Sequence, residues 1–99
     1  MKIVWSPTAR KSFDYLIESL ESRWEKKVIT KLFSEVERNL NLISKNPYLC
    51  PVISPRKGIR KCVVRRKTLM FYKVDESKNK IRVVLFVDGR WNPLLYKFA

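Results

Sequence analysis

The sequence predicts an α+β fold with the element order β-α-α-β-β-β, in which an N-terminal strand and a helical hairpin pack on a twisted antiparallel sheet. Two patterns predict it. Apolar residues recur at helical spacing between residues 7 and 46, and three β-rich runs separated by short polar turns follow between residues 59 and 87. With 99 residues and 45% hydrophobic content, the chain suits one domain over 1–99 with a single core.

The first helix is predicted over residues 7–21. A short β-rich run at 2–6 precedes it, and Ser6-Pro7 supplies a capping hydroxyl followed by a proline at the first helical position, where the missing N–H costs nothing. Its apolar stripe repeats at i, i+3, i+4 and i+7 and consists of Phe13, Leu16, Ile17 and Leu20.

A second helix is predicted to begin almost at once. Ser22 and Glu25 have the spacing of a capping box, and Asn46-Pro47 ends the helix because the residue before a proline resists helical geometry. One broad apolar stripe consists of Val28, Ile29, Leu32, Phe33, Val36, Leu40 and Ile43. Residues 7–46 therefore form an αα-hairpin with a very tight link.

Three strands are predicted after a loop at 48–55. They cover 59–64, 68–74 and 80–87, and the connections at 65–67 and 75–79 are short enough for an antiparallel meander. Strict alternation would place Ile81, Val83, Leu85 and Val87 on one face of the last strand, with Val84 and Phe86 on the other. We expect this strand to be central, since apolar residues occupy both faces.

The composition excludes several classes of site. Histidine is absent, which excludes imidazole acid–base catalysis, and two cysteines without metal-type spacing make a zinc site untenable. We expect no metal, no cofactor and no small-molecule ligand. The sequence lacks a membrane-spanning apolar run and a signal pattern, so a cytoplasmic location with no membrane partner is expected. Cys50 and Cys62 are then expected to be free, buried thiols.

The net charge of +13 points to a polyanionic partner such as nucleic acid, a ribosome or an acidic protein. The charge is uneven along the chain. Residues 1–55 hold nine basic and six acidic side chains, whereas residues 56–99 hold thirteen basic and three acidic ones. The C-terminal half therefore generates most of the positive potential.

The segment 56–67 is the first candidate site. Seven of its twelve residues are cationic: Arg56, Lys57, Arg60, Lys61, Arg65, Arg66 and Lys67. One explanation is that cations on an edge strand merely discourage sheet-to-sheet aggregation. Seven exceed that need, so the segment is also a candidate surface for contacts to a nucleic-acid backbone.

The end of the last strand is the second candidate. Arg90 could clamp a phosphate there, or could simply form a local ion pair with Asp88. Trp91 could stack on a base or pack in the core. Tyr72 and Tyr96 each have a lysine neighbour, and cationic surroundings would lower a tyrosine pKa toward acid–base use; a structural role is the alternative for both.

The chain resembles the RelE/ParE superfamily, the toxins of bacterial type II toxin–antitoxin modules. The resemblance runs in order through nearly the whole chain: Trp5-Ser6 and Ala9, Asn46-Pro47, Pro51, Ile59-Arg60-Lys61, Leu69-Met70-Phe71-Tyr72-Lys73-Val74 and Asp88-Gly89-Arg90-Trp91-Asn92-Pro93. It implies two helices on a twisted antiparallel sheet, and a cognate antitoxin protein as partner.

The resemblance implies two different mechanisms. RelE-like members cleave messenger RNA on the ribosome without metal, and on that pattern Arg90 and Tyr96 fall at the late catalytic arginine and tyrosine positions. The arginine that such members place before the middle-strand tyrosine is Leu69 here, although Arg65, Arg66 and Lys67 could substitute from the turn. The Arg-x-Asn-Pro tail is closer to ParE-like members, whose studied examples inhibit DNA gyrase.

Three hypotheses follow. The favoured one is a ParE-like toxin of a plasmid stabilisation or addiction module that arrests growth by binding a nucleic-acid machine, with DNA gyrase favoured over other such targets. The second is a RelE-like, ribosome-dependent endoribonuclease. The third is an inactive remnant or a basic DNA-binding accessory protein.

Overall fold

The computed structural model describes residues 1–22 and 26–91. It contains two helices and five strands in chain order. Their bounds are β1 (Lys2–Trp5), α1 (Pro7–Glu21), α2 (Lys26–Lys45), β2 (Val52–Ser54), β3 (Ile59–Arg65), β4 (Thr68–Asp75) and β5 (Lys80–Asp88). The α+β class and the predicted element order are confirmed, with one additional short strand, β2.

The five strands form one mixed sheet in the order β1-β5-β4-β3-β2. The meander β3-β4-β5 is antiparallel as predicted, and β2 extends it by an antiparallel pairing with β3. β1 joins the far side in parallel with β5, which makes β5 central and the sheet mixed. This parallel pairing is possible because the helical hairpin and three strands separate β1 from β5, and a long crossover can return the chain in either direction.

Helix α1 begins as the sequence predicts and is anchored to β5. The Ser6 hydroxyl accepts a hydrogen bond from the Ala9 N–H at 2.9 Å and donates to the Val84 carbonyl at 3.1 Å. Further along the helix, the Ser12 hydroxyl accepts from the Phe86 N–H at 3.0 Å. These two serine hydroxyls therefore join the first half of α1 to the backbone of β5.

The predicted capping box lies largely outside the described residues, since it needs residues 23–25. The serine that begins it, Ser22, caps the C-terminus of α1, where its backbone N–H donates to the carbonyls of Glu18 and Leu20. The end of α2 at Lys45 agrees with the predicted stop before Asn46-Pro47.

Both helices cover one face of the sheet, and the main core lies between the two layers. Its largest fully buried side chains include Leu16 and Leu32 from the helices and Met70, Tyr72 and Phe86 from the strands. A smaller buried cluster on the other side of the sheet contains Ile59, Phe71 and Val87.

The predicted alternation in β5 is wrong beyond Val83. The register shifts between Phe71 and Tyr72, whose partners are Leu85 and Val83, so Val84 is an extra residue in β5. Such a β-bulge turns two successive side chains to the same side. Ile81, Val83 and Phe86 therefore belong to the main core, whereas Val84, Leu85 and Val87 belong to the smaller cluster.

Candidate functional site

The seven cations of 56–67 do not form one surface. Arg56 and Lys57 are exposed in the turn between β2 and β3, whereas Arg65, Arg66 and Lys67 lie at the opposite end of β3. A seven-residue strand is about 20 Å long. The two groups of charge therefore face different parts of any partner.

The charges at the far end of β3 surround a cleft of about 460 Å³ between the helical hairpin and the β3–β4 turn. Leu20, Val28 and Leu32 give it an apolar wall. Its charged lining consists of four cations and one carboxylate: Arg65, Arg66, Lys67, Arg90 and Asp88. The cleft therefore combines an apolar surface with a net charge of +3, and we call it the basic cleft.

A second β-bulge directs Arg65 toward the basic cleft. Val63 pairs with Leu69 and Arg65 pairs with Thr68, so Val64 is an extra residue in β3. As in β5, the bulge lets two neighbouring side chains share a side of the sheet. Val64 is buried in the main core while Arg65 lines the cleft beside Thr68.

Arg66 follows with a left-handed backbone at φ 46°. A left-handed conformation is unfavourable for a residue with a long side chain and is usually left to glycine or asparagine. The β4–β5 turn meets the same requirement with Asn79 at φ 53°. In the β3–β4 turn, the residue with the left-handed backbone is instead an arginine.

Asp88 holds Arg90 inside this cleft. The Arg90 Nε lies 3.0 Å from Asp88 Oδ1 and one Nη lies 2.6 Å from Oδ2, and the Arg90 backbone N–H also donates to Oδ1 at 2.9 Å. These hydrogen bonds from Arg90, above all those of its side chain, lower the pKa of Asp88, and the charge of Lys67 contributes. The carboxylate in turn raises the pKa of Arg90. The ion pair considered from the sequence is therefore present.

Gly89 closes the β3–β4 turn against the end of β5. Its N–H donates to the Lys67 carbonyl, and a Cβ at this position would lie 3.1 Å from that oxygen. Backbone contact at so short a distance favours glycine. It brings Lys67 and Arg90, which are distant in sequence, to the same cleft.

Arg60 and Tyr72 bind the loop before β2 rather than the basic cleft. The Arg60 Nη1 donates to the Cys50 carbonyl at 2.7 Å, and its guanidinium lies 5.0 Å from the centre of the Tyr48 ring. The Tyr72 hydroxyl donates to the Pro47 carbonyl at 2.7 Å and accepts from the Cys50 N–H at 3.3 Å. Both side chains thereby fix residues 47–50.

An acid–base role for Tyr72 would require a lowered pKa, and the pKa of this phenol is raised instead. The side chain is fully buried, and burial raises the pKa of its phenol; the Cys50 N–H and the charge of Arg60 offset this only in part. A buried neutral phenol with two backbone partners has a structural role in this arrangement.

The prediction of free thiols is also wrong. Cys50 and Cys62 form a disulfide, with their Cα atoms 5.3 Å apart. The pairing arises because Cys62 faces the main core on β3, while the loop fixed by Arg60 and Tyr72 places Cys50 beside that strand. Neither relationship is visible in the spacing of the two cysteines.

The other predicted residues lie in different places. Lys61 is half-buried, and its backbone N–H donates to the Pro51 carbonyl at 3.0 Å. Trp91 is half-buried against both core clusters and meets the Tyr15 ring edge-on at 5.5 Å. The second predicted catalytic residue, Tyr96, lies outside the described residues.

The sequence predicted the cations of the cleft but not its apolar wall. Leu20, Val28 and Leu32 appeared only as members of helical stripes, and Thr68 gave no signal. A wall made from both helices becomes recognisable only when the hairpin is seated on the sheet.

Within residues 1–22 and 26–91, no group of three or more His, Cys, Asp or Glu side chains could hold a metal ion. In the same ranges, no helix is both long and apolar enough to cross a membrane.

The α+β fold of this chain recurs in two solved structures. A metal-bound toxin from Helicobacter pylori superposes with a TM-score of 0.59 at 19% identity, over 89% of this chain and 93% of that one. A conserved hypothetical protein from Helicobacter pylori, solved in solution, superposes with a TM-score of 0.51 at 18% identity and the same coverage. At these identities the likeness establishes the fold. Comparison with curated proteins gives no significant match.

The family itself is established by sequence. The sequence model of one family, the ParE toxin of the type II toxin–antitoxin system, parDE, matches residues 3–92. The chain therefore belongs to the ParE toxin family, as the sequence motifs predicted. Membership implies a cognate antitoxin partner.

Proposed function

We propose that this toxin arrests growth by binding DNA gyrase, and that it does so without cleaving RNA. Gyrase is a cytoplasmic nucleic-acid machine, so the proposal retains the cytoplasmic location expected from the sequence. The basic cleft supplies the charged contact surface, since Arg65, Arg66 and Lys67 make no ion pair with any described residue.

The observation that carries the proposal is the Asp88–Arg90 ion pair. A catalytic arginine must direct its N–H groups at the charge that develops on a phosphate. Here Asp88 already occupies Nε and one Nη of Arg90, at 3.0 and 2.6 Å. The residue that would be catalytic in a nuclease is thus held in an ion pair by the last residue of β5.

Two further positions support a binding mode. Leu69, which stands where RNA-cleaving relatives have an arginine, is an uncharged side chain packed near Gly89 and the smaller core cluster. Tyr72 is buried and its phenol has a raised pKa, so it has no access to a bound RNA.

The test is a gyrase supercoiling assay with the purified toxin, run beside primer extension on messenger RNA from programmed 70S ribosomes. We expect loss of supercoiling and no new RNA ends. Arg65→Ala/Arg66→Ala should weaken the inhibition more than Arg56→Ala/Lys57→Ala, which removes the same charge about 20 Å away along the strand. Normal supercoiling at saturating toxin would overturn the proposal.

One observation favours ribonuclease action as the second candidate. Arg65, Arg66 and Lys67 line the cleft beside Arg90 and form no ion pair with any described residue, and they could orient a phosphate in place of the arginine missing at Leu69. This function would appear in the same experiment as a cut within the A-site codon that Arg90→Ala abolishes.

A further inference from the structure

The two cysteines of the chain lie away from the basic cleft and join a loop to a strand. Cys50 lies in the loop before β2 and Cys62 lies in the middle of β3, and their disulfide brings the Cα atoms to 5.3 Å. Neither residue lines the basic cleft. Disulfides in reducing compartments are usually transient and redox-sensing, whereas structural disulfides belong to oxidising compartments. In a protein that acts in the cytoplasm, this disulfide is therefore expected to be reversible.

Contacts other than the disulfide hold the two cysteines together. The Cys50 N–H donates to the Tyr72 hydroxyl at 3.3 Å, and the Cys50 carbonyl accepts from Arg60 Nη1 at 2.7 Å. The next residue, Pro51, accepts from the Lys61 N–H of β3 at 3.0 Å. These hydrogen bonds do not involve the sulfur atoms, so they can persist when the disulfide is reduced. Two thiols held in this position react as an intramolecular pair, which favours rapid re-formation of the bond.

The two cysteines differ in their access to solvent. Cys62 is 2% exposed and belongs to the main core, whereas Cys50 is half-buried and packs against that core from the loop. A reagent in solution therefore reaches Cys50 more readily than Cys62. Arg60 also places a positive charge beside Cys50, and a neighbouring cation favours the thiolate form that attacks disulfides. Cys50 has the properties of the reacting cysteine, and Cys62 those of the cysteine that completes the disulfide.

The disulfide lies next to β2, the shortest strand of the described sheet. β2 has three residues at the edge of the sheet, and its pairing with β3 is irregular between Val52 and Ser54. The only covalent link between this region and β3, apart from the chain itself, is the disulfide. Without it, β2 and the preceding loop are held by a small number of hydrogen bonds, so we expect them to separate from β3 more often.

We propose that Cys50 and Cys62 form a reversible thiol–disulfide site that exchanges with glutathione disulfide, and that the oxidised form holds β2 and the preceding loop on β3. This site goes beyond the proposed function, because it governs the stability of the toxin and not its contact with gyrase. Only the choice of glutathione as the exchanging compound rests on the cytoplasmic location given there.

The oxidation has two steps. The Cys50 thiolate attacks one sulfur of glutathione disulfide, which forms a Cys50–glutathione disulfide, breaks the S–S bond of the oxidant and releases one glutathione thiolate that takes up a proton. The Cys62 thiol then loses its proton and attacks the Cys50 sulfur, which forms the Cys50–Cys62 bond and expels the second glutathione. Two cysteine thiols are oxidised, and one glutathione disulfide is reduced to two thiols. An excess of reduced glutathione drives the same steps in reverse.

A redox titration of the purified full chain tests the reversibility. The protein is equilibrated at different ratios of reduced to oxidised glutathione, free thiols are trapped with a maleimide, and mass spectrometry counts the two forms. We expect conversion of disulfide to dithiol within the ratios that a cytoplasm spans, with an unchanged circular dichroism spectrum. A disulfide that persists at all these ratios, or thiols that stay free at all of them, would overturn the proposal.

A matched pair of single variants tests the order of the two steps. Cys62→Ser keeps the accessible thiol, so glutathione disulfide should convert it to the mixed disulfide at Cys50. Cys50→Ser keeps only the buried thiol and should react about ten-fold more slowly or less, because reactivity follows exposure and thiolate character. Both variants lack the disulfide, so they are matched in that respect. Equal rates would overturn the assignment of Cys50 as the reacting cysteine.

Hydrogen exchange measured by NMR tests whether the disulfide holds β2. Reduction should speed the exchange of the Lys61 N–H, which binds the loop, several-fold, while the Phe86 N–H in β5 should change less. Cys50→Ser/Cys62→Ser should match the reduced chain with and without reductant. Unchanged exchange at Lys61, once the thiols are shown to be free, would overturn this part of the proposal. None of these measurements involves gyrase, so failure of this proposal is distinguishable from failure of the proposed function.

Discussion

The carboxylate of Asp88 binds the guanidinium of Arg90 two residues along the chain: Oδ1 accepts from Nε at 3.0 Å, and Oδ2 accepts from Nε at 3.2 Å and from one Nη at 2.6 Å. The pKa of Asp88 is lowered, chiefly by these hydrogen bonds. A carboxylate whose native pKa is lowered stabilises the fold above its ordinary pKa, and this stabilisation is lost as the pH falls through the lowered value.

The first prediction concerns acid stability. Above about pH 4, the ordinary pKa of aspartate, Asp88→Asn should be less stable than the natural chain. The difference should shrink as the pH falls further, because the unfolded chain is protonated at Asp88 before the folded chain is, and the advantage of the charged form is lost progressively. Urea unfolding between pH 3 and pH 7 measures this, and a difference that stays constant over that range would contradict it.

The second prediction concerns the two hydrogen bonds that the Tyr72 hydroxyl makes with Pro47 and Cys50. Tyr72→Phe leaves the Pro47 carbonyl and the Cys50 N–H without their partner, which should lower the free energy of unfolding by about 1 to 2 kcal/mol. Tyr48→Phe is the control, since that exposed hydroxyl bonds to Glu76 at the surface and its loss should cost about 0.5 kcal/mol or less. If chemical denaturation gave the same loss of stability for Tyr72→Phe and Tyr48→Phe, the buried hydroxyl would contribute no more than the exposed one.

The third prediction concerns the disulfide. Cys50 and Cys62 are separated by 12 residues, and closing a loop of that size contributes about 3 kcal/mol. Reduction with dithiothreitol should lower the free energy of unfolding accordingly, while Cys50→Ser/Cys62→Ser should not respond to the reductant. Identical melting curves for the natural chain with and without reductant would mean that the thiols are free after all.

The fourth prediction concerns the strained turn. Arg66→Gly removes a left-handed strain of about 1 kcal/mol but adds freedom to the unfolded chain, so a net gain of about 0.5 kcal/mol is expected. Asn79→Gly should gain less, because asparagine tolerates this conformation better. Thermal unfolding compares the two variants with the natural chain, and a loss of stability in Arg66→Gly would contradict the prediction.

The sequence predicted most of the elements because their signals are local. Ser6-Pro7 starts α1 and the i, i+3, i+4 stripes define the helices. The bounds of β4 and β5 differ from the predicted ones by one residue at their C-terminal ends. The toxin family was predicted for a related reason, since its motifs survive as short segments in a fixed order.

The predicted facing of side chains was wrong where one extra residue shifted the pairing register of two strands. Val84 and Val64 are the extra residues of two bulges, and nothing in their identity distinguishes them from neighbouring valines. A single inserted residue reverses the facing of every residue that follows in a strand. The bulge at Val64 interrupts the alternation of side chains along β3, and it also brings Arg65 to the basic cleft.

By itself, the sequence determined the fold class, the family and the concentration of positive charge in the C-terminal half, all of which depend on composition or on contacts between near neighbours. The tertiary structure decided which of those charges act together. It paired Cys50 with Cys62, buried the Tyr72 hydroxyl against Pro47, and joined the end of β5 to the β3–β4 turn through Gly89 and Lys67. These relationships depend on how helices and strands distant in sequence pack against one another, and no local pattern encodes that packing.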